Sequence, residues 1–156
     1  MIVTVASLAA YVTAPSLVDY AASKSAALSF HEGLTAELKT KYNAPKVRTV
    51  LVNQGYTKTP LFQGWSNDSK FLMPSLEPET VAEGIVKQVL SGHSGQVILP
   101  GFAAVTTFLR GFPHWYQLRT RENAKSFMAT WSGRQVIDVD KWNKDEKDEK
   151  DAGESA

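Results

Sequence analysis

The chain has no cysteine. That excludes a disulfide framework and any thiolate-ligated metal site. Its three histidines (His31, His93 and His114) are scattered without ligand spacing, so none reads as a metal ligand and no metal is expected. No apolar run approaches the ~20 residues that a membrane-spanning helix needs. The opening run Met1-Ile-Val-Thr-Val-Ala6 is apolar but has no positive stretch before it, so it reads as a strand rather than a leader. Ten glycines are present, yet none forms the clustered turn behind a strand that lets backbone N–H groups approach a pyrophosphate. Gly92 and Gly95 precede a strand and read as a turn. Basic residues are dispersed and aromatics sit among apolar neighbours, so no nucleic-acid partner is expected.

What is present fits one domain: 156 residues, 43% of them apolar, with a net charge of +1. The charge is uneven. Residues 138–156 hold eight acids and four lysines, leaving the body at +5. That polar, repetitive stretch is expected to be a disordered, solvated tail, with residues 1–137 forming the folded domain.

The pattern along the body alternates strands and helices. A strand is expected over 2–6, a long helix over 17–42 and a second strand over 47–52. After an irregular segment to about residue 76 come a helix to about 91, opened by Glu77-Pro78-Glu79, and a short strand over 95–99. Two helical pieces follow, over 102–112 and 114–132. Pro15-Ser16 marks the start of the long helix, with Ser16 and Asp19 spaced like a capping box. Strands in such alternation imply a parallel sheet with right-handed crossovers, and the first strand is expected to be buried on both faces.

Chemistry concentrates near the N-terminus. Tyr20 and Lys24 lie four apart, on one face of the expected helix, and Ser7 ends the strand before it. A tyrosine is a poor acid or base at neutral pH, and an ammonium nearby favours its phenolate. The positive end of the helix acts in the same sense. A serine hydroxyl can steady the oxygen that gains or loses the proton. Together the three read as an alcohol/carbonyl proton-transfer site. Taken alone, the Tyr–Lys spacing also suits an ordinary surface helix. The order of strand end, loop and helix start favours the site.

With those residues in place, the chain resembles the short-chain dehydrogenases/reductases over residues 2 to about 100. That family's catalytic half has a strand ending in Ser, then Y-x-x-x-K on a long helix, then a strand and a P-G-x-x-x-T turn. Here the last two are Lys46–Val52 and Asn53-Gln54-Gly55-Tyr56-Thr57-Lys58-Thr59. The resemblance implies an α/β fold: the last three strands and flanking helices of a Rossmann-like, doubly wound parallel sheet. It implies that Ser7 orients the substrate oxygen and that Tyr20 is the general acid/base. Lys24 would lower the Tyr20 pKa and hold the nicotinamide ribose. Gly55, Thr57 and Thr59, with Tyr20 and Lys24, would contact NAD or NADP.

Departures are visible. Gln54 stands where the family's turn has proline, whose fixed φ would stiffen it. The Gly-rich turn, the Asn-Ala-Gly segment and the helix asparagine of the family's relay are missing, as if the chain started at the fifth strand. Strand 2–6 should then expose an unpaired edge and apolar faces that helices normally cover, cofactor binding should be weak, and the chain alone should have little activity.

After the Gly55 turn come Tyr56, Leu61, Phe62, Trp65, Phe71, Leu72 and Met73, at the family's substrate loop. Tyr56, Phe62 and Trp65 there favour a lipophilic alcohol or ketone; packing of the loop onto the body is the alternative. The family's retinol and hydroxysteroid branch is similar, with a hydrophobic C-terminal extension. In residues 102–121, Phe102, Phe108, Leu109, Phe112, Trp115 and Tyr116 alternate with Arg110, Arg119 and Arg121. Such a segment fits either packing in the core or a dimer, or contact with a membrane surface or lipid droplet. In the family the Tyr/Lys helix also builds a dimer interface, for which Leu28, Leu34 and Leu38 would supply an apolar stripe on helix 17–42. A non-catalytic pairing module is therefore the second reading. Either way the protein is expected inside the cell, cytoplasmic or peripherally bound to a membrane.

Overall fold

The computed structural model describes residues 1–59 and 74–124. A parallel sheet of three strands, β1 (Ile2–Val5), β2 (Thr49–Gln54) and β3 (Gly95–Leu99), runs in chain order. Helix α1 (Val18–Thr40) connects the first pair and α2 (Pro78–Leu90) the second. After β3 come a 3-10 helix over Gly101–Gly111 and α3 (His114–Asn123). The α/β fold is thus the partial Rossmann-like one expected. The proposed tail and residues Phe62 and Trp65 lie outside the described residues, as does the end of the 114–132 helix.

Strand periodicity assigns the two faces. On β2, Leu51 packs with Ala6, Ala10, Tyr11 and Leu28 on the α1 side. Val50 and Val52 pack with Val97, Ile85 and Leu99 on the α2 side. Alternate residues of a strand point to opposite faces, so the helices cover opposite sides of the sheet. β2 is the central strand, and all but its last residue are buried, as a strand covered on both faces requires. Gly84 allows α2 to approach β3: a Cβ there would lie 2.9 Å from Leu99 Cδ1.

Four expectations are corrected. The first strand is covered on one face only: Val3 and Val5 are exposed, because β1 has a single neighbour and α2 lies over β2 and β3. Among the described residues the β1 edge has no strand partner, and this edge and the exposed apolar face are as anticipated for a sheet without the family's first half. The second strand begins and ends two residues late, since Asn53 and Gln54 pair with Ile98 and Leu99. The capping box does not form. Ser16 adopts a left-handed φ of 68°, and the helix starts behind Leu17, which has no side-chain cap but is buried with Ala14. The 102–112 piece is helical with three residues per turn rather than 3.6.

Leu28 is likewise unavailable for the dimer stripe, because it is buried in the chain's own core; Leu34 and Leu38 are half-buried. Among the described residues, no helix is long and apolar enough to cross a membrane, and no cluster of potential metal ligands occurs.

Candidate active site

The carboxyl ends of β1 and β2 lie side by side, with Val5 paired to Val52. In open parallel sheets such ends, with the loops leaving them, form the usual binding crevice. Ser7 leaves β1 here. Its Oγ accepts the N–H of Ala9 at 3.2 Å, capping the 3-10 turn Leu8–Ala10, and donates to the carbonyl oxygen of Gln54 at 3.3 Å. The second bond is near the long limit for a hydroxyl donor. A substrate oxygen can therefore compete for the Ser7 proton without breaking a strong contact.

Tyr20 is the third residue of α1, and Lys24 follows one turn later on the same face. The Lys24 ammonium lies 5.7 Å from the centroid of the Tyr20 ring and donates to the carbonyl oxygen of Val5 at 3.1 Å. That carbonyl belongs to the outward-facing set of β1, since the N–H groups of Ile2 and Ala6, odd-spaced from it, bond towards β2. Lys24 thus ties α1 to the edge of β1 that has no strand partner among the described residues. The half-buried Tyr20 ring packs on Ala14 and Leu17 beside Tyr56, so these two sequence-selected tyrosines share one apolar cluster.

The turn after β2 approaches closely. The Gly55 N–H donates to the Leu99 carbonyl at 2.7 Å, and a Cβ on Gly55 would lie 3.4 Å from that same oxygen. Thr57 is buried, pairs with Leu76 in an isolated bridge, and donates its hydroxyl to the Gly55 carbonyl at 3.3 Å. Thr59 is half-buried in a bend. Lys58 pairs with Glu77 across the same bridge, which fixes the exit of this turn. The structure therefore brings Ser7, Tyr20, Lys24 and Gly55 to one end of the sheet, while the Thr57 hydroxyl is engaged with the backbone.

Three polar residues near the site were not assigned to it from the sequence. Tyr11 is buried beneath the 3-10 turn and accepts a hydrogen bond from Gln96 Nε2 at 3.0 Å. Burial pushes its phenol above the ordinary tyrosine range, partly offset by the Gln96 hydrogen bond. Asn53 is fully buried, and its side-chain nitrogen and oxygen have no hydrogen-bond partner among the described residues. Arg110 donates to the Ala10 carbonyl and, at 3.2 Å, to Ser25 Oγ, clasping the 3-10 turn to α1. An asparagine closing the run Val50-Leu-Val-Asn53 was the one available signal. Tyr11 and Gln96 meet across 85 positions, which no local pattern reveals.

The short chain dehydrogenase family profile matches residues 1–70. Mouse 17-beta-hydroxysteroid dehydrogenase 13 is 35% identical over 116 residues, which cover 72% of this chain and 35% of that protein. Rat estradiol 17-beta-dehydrogenase 11 is 36% identical over 132 residues, 80% of this chain and 41% of the relative. Dehydrogenase RED2 of Cochliobolus heterostrophus is 59% identical over 51 residues, 33% of this chain and 19% of the relative. With its parallel sheet and the order of its motifs, the chain belongs to the short-chain dehydrogenase/reductase family, and its relatives include hydroxysteroid dehydrogenases. The matched regions span about a third of mouse 17-beta-hydroxysteroid dehydrogenase 13 and two fifths of rat estradiol 17-beta-dehydrogenase 11.

Proposed function

We propose that this chain carries the proton-transfer wall of an NAD(P)-dependent oxidoreductase that interconverts a lipophilic alcohol and its ketone. The observation that carries the reading is the placement of Tyr20 and Lys24 on one face of α1, with the ammonium 5.7 Å from the phenol ring, beside the strand end that carries Ser7. Tyr20 Oη would give a proton to the carbonyl oxygen, or take one from the alcohol. Ser7 Oγ would turn from the Gln54 carbonyl to donate to that same oxygen. Lys24 would hold positive charge beside the phenol.

The donor set suits a nicotinamide cofactor. Among the described residues the Lys24 ammonium has one hydrogen-bond acceptor, so two of its three N–H groups remain for ribose hydroxyls. Tyr20 and Gly55 would complete that cradle, with Thr57 and Thr59 at its margin. The cofactor, when bound, supplies or removes the hydride. Binding should be weak, because the chain contains no Gly-rich turn for the pyrophosphate. The steroid names of two relatives and Tyr56 beside Tyr20 support a lipophilic substrate.

Nicotinamide absorbance, followed with the purified chain, NAD(P) and a steroid or retinoid alcohol, tests the reading. Little turnover is expected, and Tyr20→Phe should abolish what there is. Ordinary turnover, on the order of 10 per second, would refute the expected weakness. Residual turnover that survives Tyr20→Phe would refute the role of Tyr20. A non-catalytic pairing module is the second reading, favoured by the free β1 edge at Val3 and Val5.

A further inference from the structure

Ser7 and Lys24 stand on different elements, so their relative placement depends on how α1 is held against the end of β1. Two bonds from adjacent positions of α1 do this. Lys24 Nζ donates to the Val5 carbonyl at 3.1 Å, and Ser25 Oγ donates to the Ala10 carbonyl at 3.0 Å. Neighbouring helix residues point about 100° apart, so the two bonds together fix the rotation of α1 about its axis. Their acceptors lie on either side of Ser7. Ser7 Oγ caps the turn Leu8–Ala10, and the Ala10 N–H closes that turn onto the Ser7 carbonyl at 3.0 Å.

A third donor joins this seam from far along the chain. Arg110, in the last turn of the 3-10 helix Gly101–Gly111, sets Nη2 against both the Ala10 carbonyl and Ser25 Oγ, the latter at 3.2 Å. A carbonyl oxygen has two lone pairs, so the fully buried Ala10 accepts from serine and guanidinium together. A bond from a charged donor is the stronger kind. Among the described residues Arg110 has no carboxylate partner, so its guanidinium serves this seam rather than a surface ion pair. The same turn is held a second time through the Tyr11 hydroxyl, which accepts from Gln96 Nε2 on β3. β3 and the helix after it supply none of the proton-transfer residues, yet they hold the Ser7 turn at two points.

We propose that Arg110 is a positioning residue for the site, locking the turn that begins at Ser7 to the stretch of α1 that carries Lys24. The proposal rests on the nicotinamide reading of that site.

Amide hydrogen exchange and NADH-induced shifts, both read by NMR on the labelled full chain, test it. In Arg110→Met, exchange at Ala9, Ala10 and Tyr11 should quicken about tenfold or more, while Val50, Leu51 and Val52 keep the parent rates. NADH-induced shifts should shrink at residues 6–8 and persist at residues 55–59. That selectivity marks positioning, because a general loosening of the fold would lower all of them alike. Arg119→Gln, at an exposed position of α3, removes equal charge and should match the parent. If Arg110→Met fails to fold by circular dichroism, Ser25→Ala opens the same seam and should quicken the same three amides. Unchanged exchange there in the folded variant would overturn the proposal, as would an equal effect in Arg119→Gln or shifts that fade uniformly. Parent shifts that Arg110→Met leaves intact would refute the role of Arg110 alone. A parent chain without NADH-induced shifts would refute the nicotinamide reading itself, and the role of Arg110 with it.

Discussion

Lys24 donates to the carbonyl oxygen of Val5, and through that 3.1 Å contact helix α1, which bears Tyr20, is fastened to the edge of β1 that has no strand partner among the described residues. The ammonium is therefore shared between a strand edge and the Tyr20 ring. Lys24→Met keeps the apolar stem and removes the donors. It should weaken NADH and NADPH binding several-fold while leaving the helix content unchanged. Fluorescence titration of the reduced nucleotide reads the first effect, and circular dichroism the second.

The edge itself has a cost. Val3 and Val5 are exposed along an edge that pairs with no strand among the described residues, a surface that invites another strand. Val3→Lys places a charge on that row without touching the β1–β2 ladder. Light scattering on concentrated samples should show less self-association in the variant than in the parent. Equal scattering would mean that association proceeds elsewhere.

Asn53 is fully buried, and its amide makes no hydrogen bond of ordinary geometry among the described residues, although it lies near enough to the Tyr11 hydroxyl to help lower that phenol's pKa. A buried polar group without a partner costs more than an apolar side chain of similar size. Asn53→Leu should therefore raise the unfolding free energy, by about 1 kcal/mol, in urea titrations at constant m-value. A loss of stability would show that the amide has a partner in solution.

His31 lies buried on α1, with Nδ1 2.9 Å from Thr4 Oγ1. Burial lowers its pKa below the ordinary value of 6.5, and Glu32 opposes this more weakly. Neutral His31 is thus favoured in the folded chain, whereas the unfolded chain takes up the proton first. Stability is full above pH 6.5 and falls as pH drops below it towards the folded pKa. Melting curves between pH 8 and 5 should show this decline, and His31→Gln should flatten it.

Much of this was legible in the chain. Short β-branched runs separated by helix-length segments announced the parallel sheet, and the spacing of Ser7, Tyr20 and Lys24 anticipated that these side chains would gather at one end of it, because strand ends and helical turns are local consequences of sequence. What escaped depends on contacts distant in the chain or on single dihedral angles. Ser16 looked like a cap, but a left-handed φ there takes it out of helical line. Leu28 looked like a dimer residue until β2 and the 3-10 turn closed over it. The three-residue spacing of Phe102, Val105 and Phe108 is present in the sequence, yet it separates from a 3.6-residue period only once the backbone is known.

The central claim is that Tyr20 and Lys24 form one wall of a nicotinamide site at the carboxyl ends of β1 and β2. Titrating NADH into isotopically labelled chain, with backbone amide shifts as the readout, tests it most directly. The account predicts weak binding, with a Kd on the order of 1 mM, and shifts confined to residues 6–8, 20–24 and 55–59 that vanish in Lys24→Ala. Shifts that leave those residues unmoved, or that persist unchanged in Lys24→Ala, would contradict it.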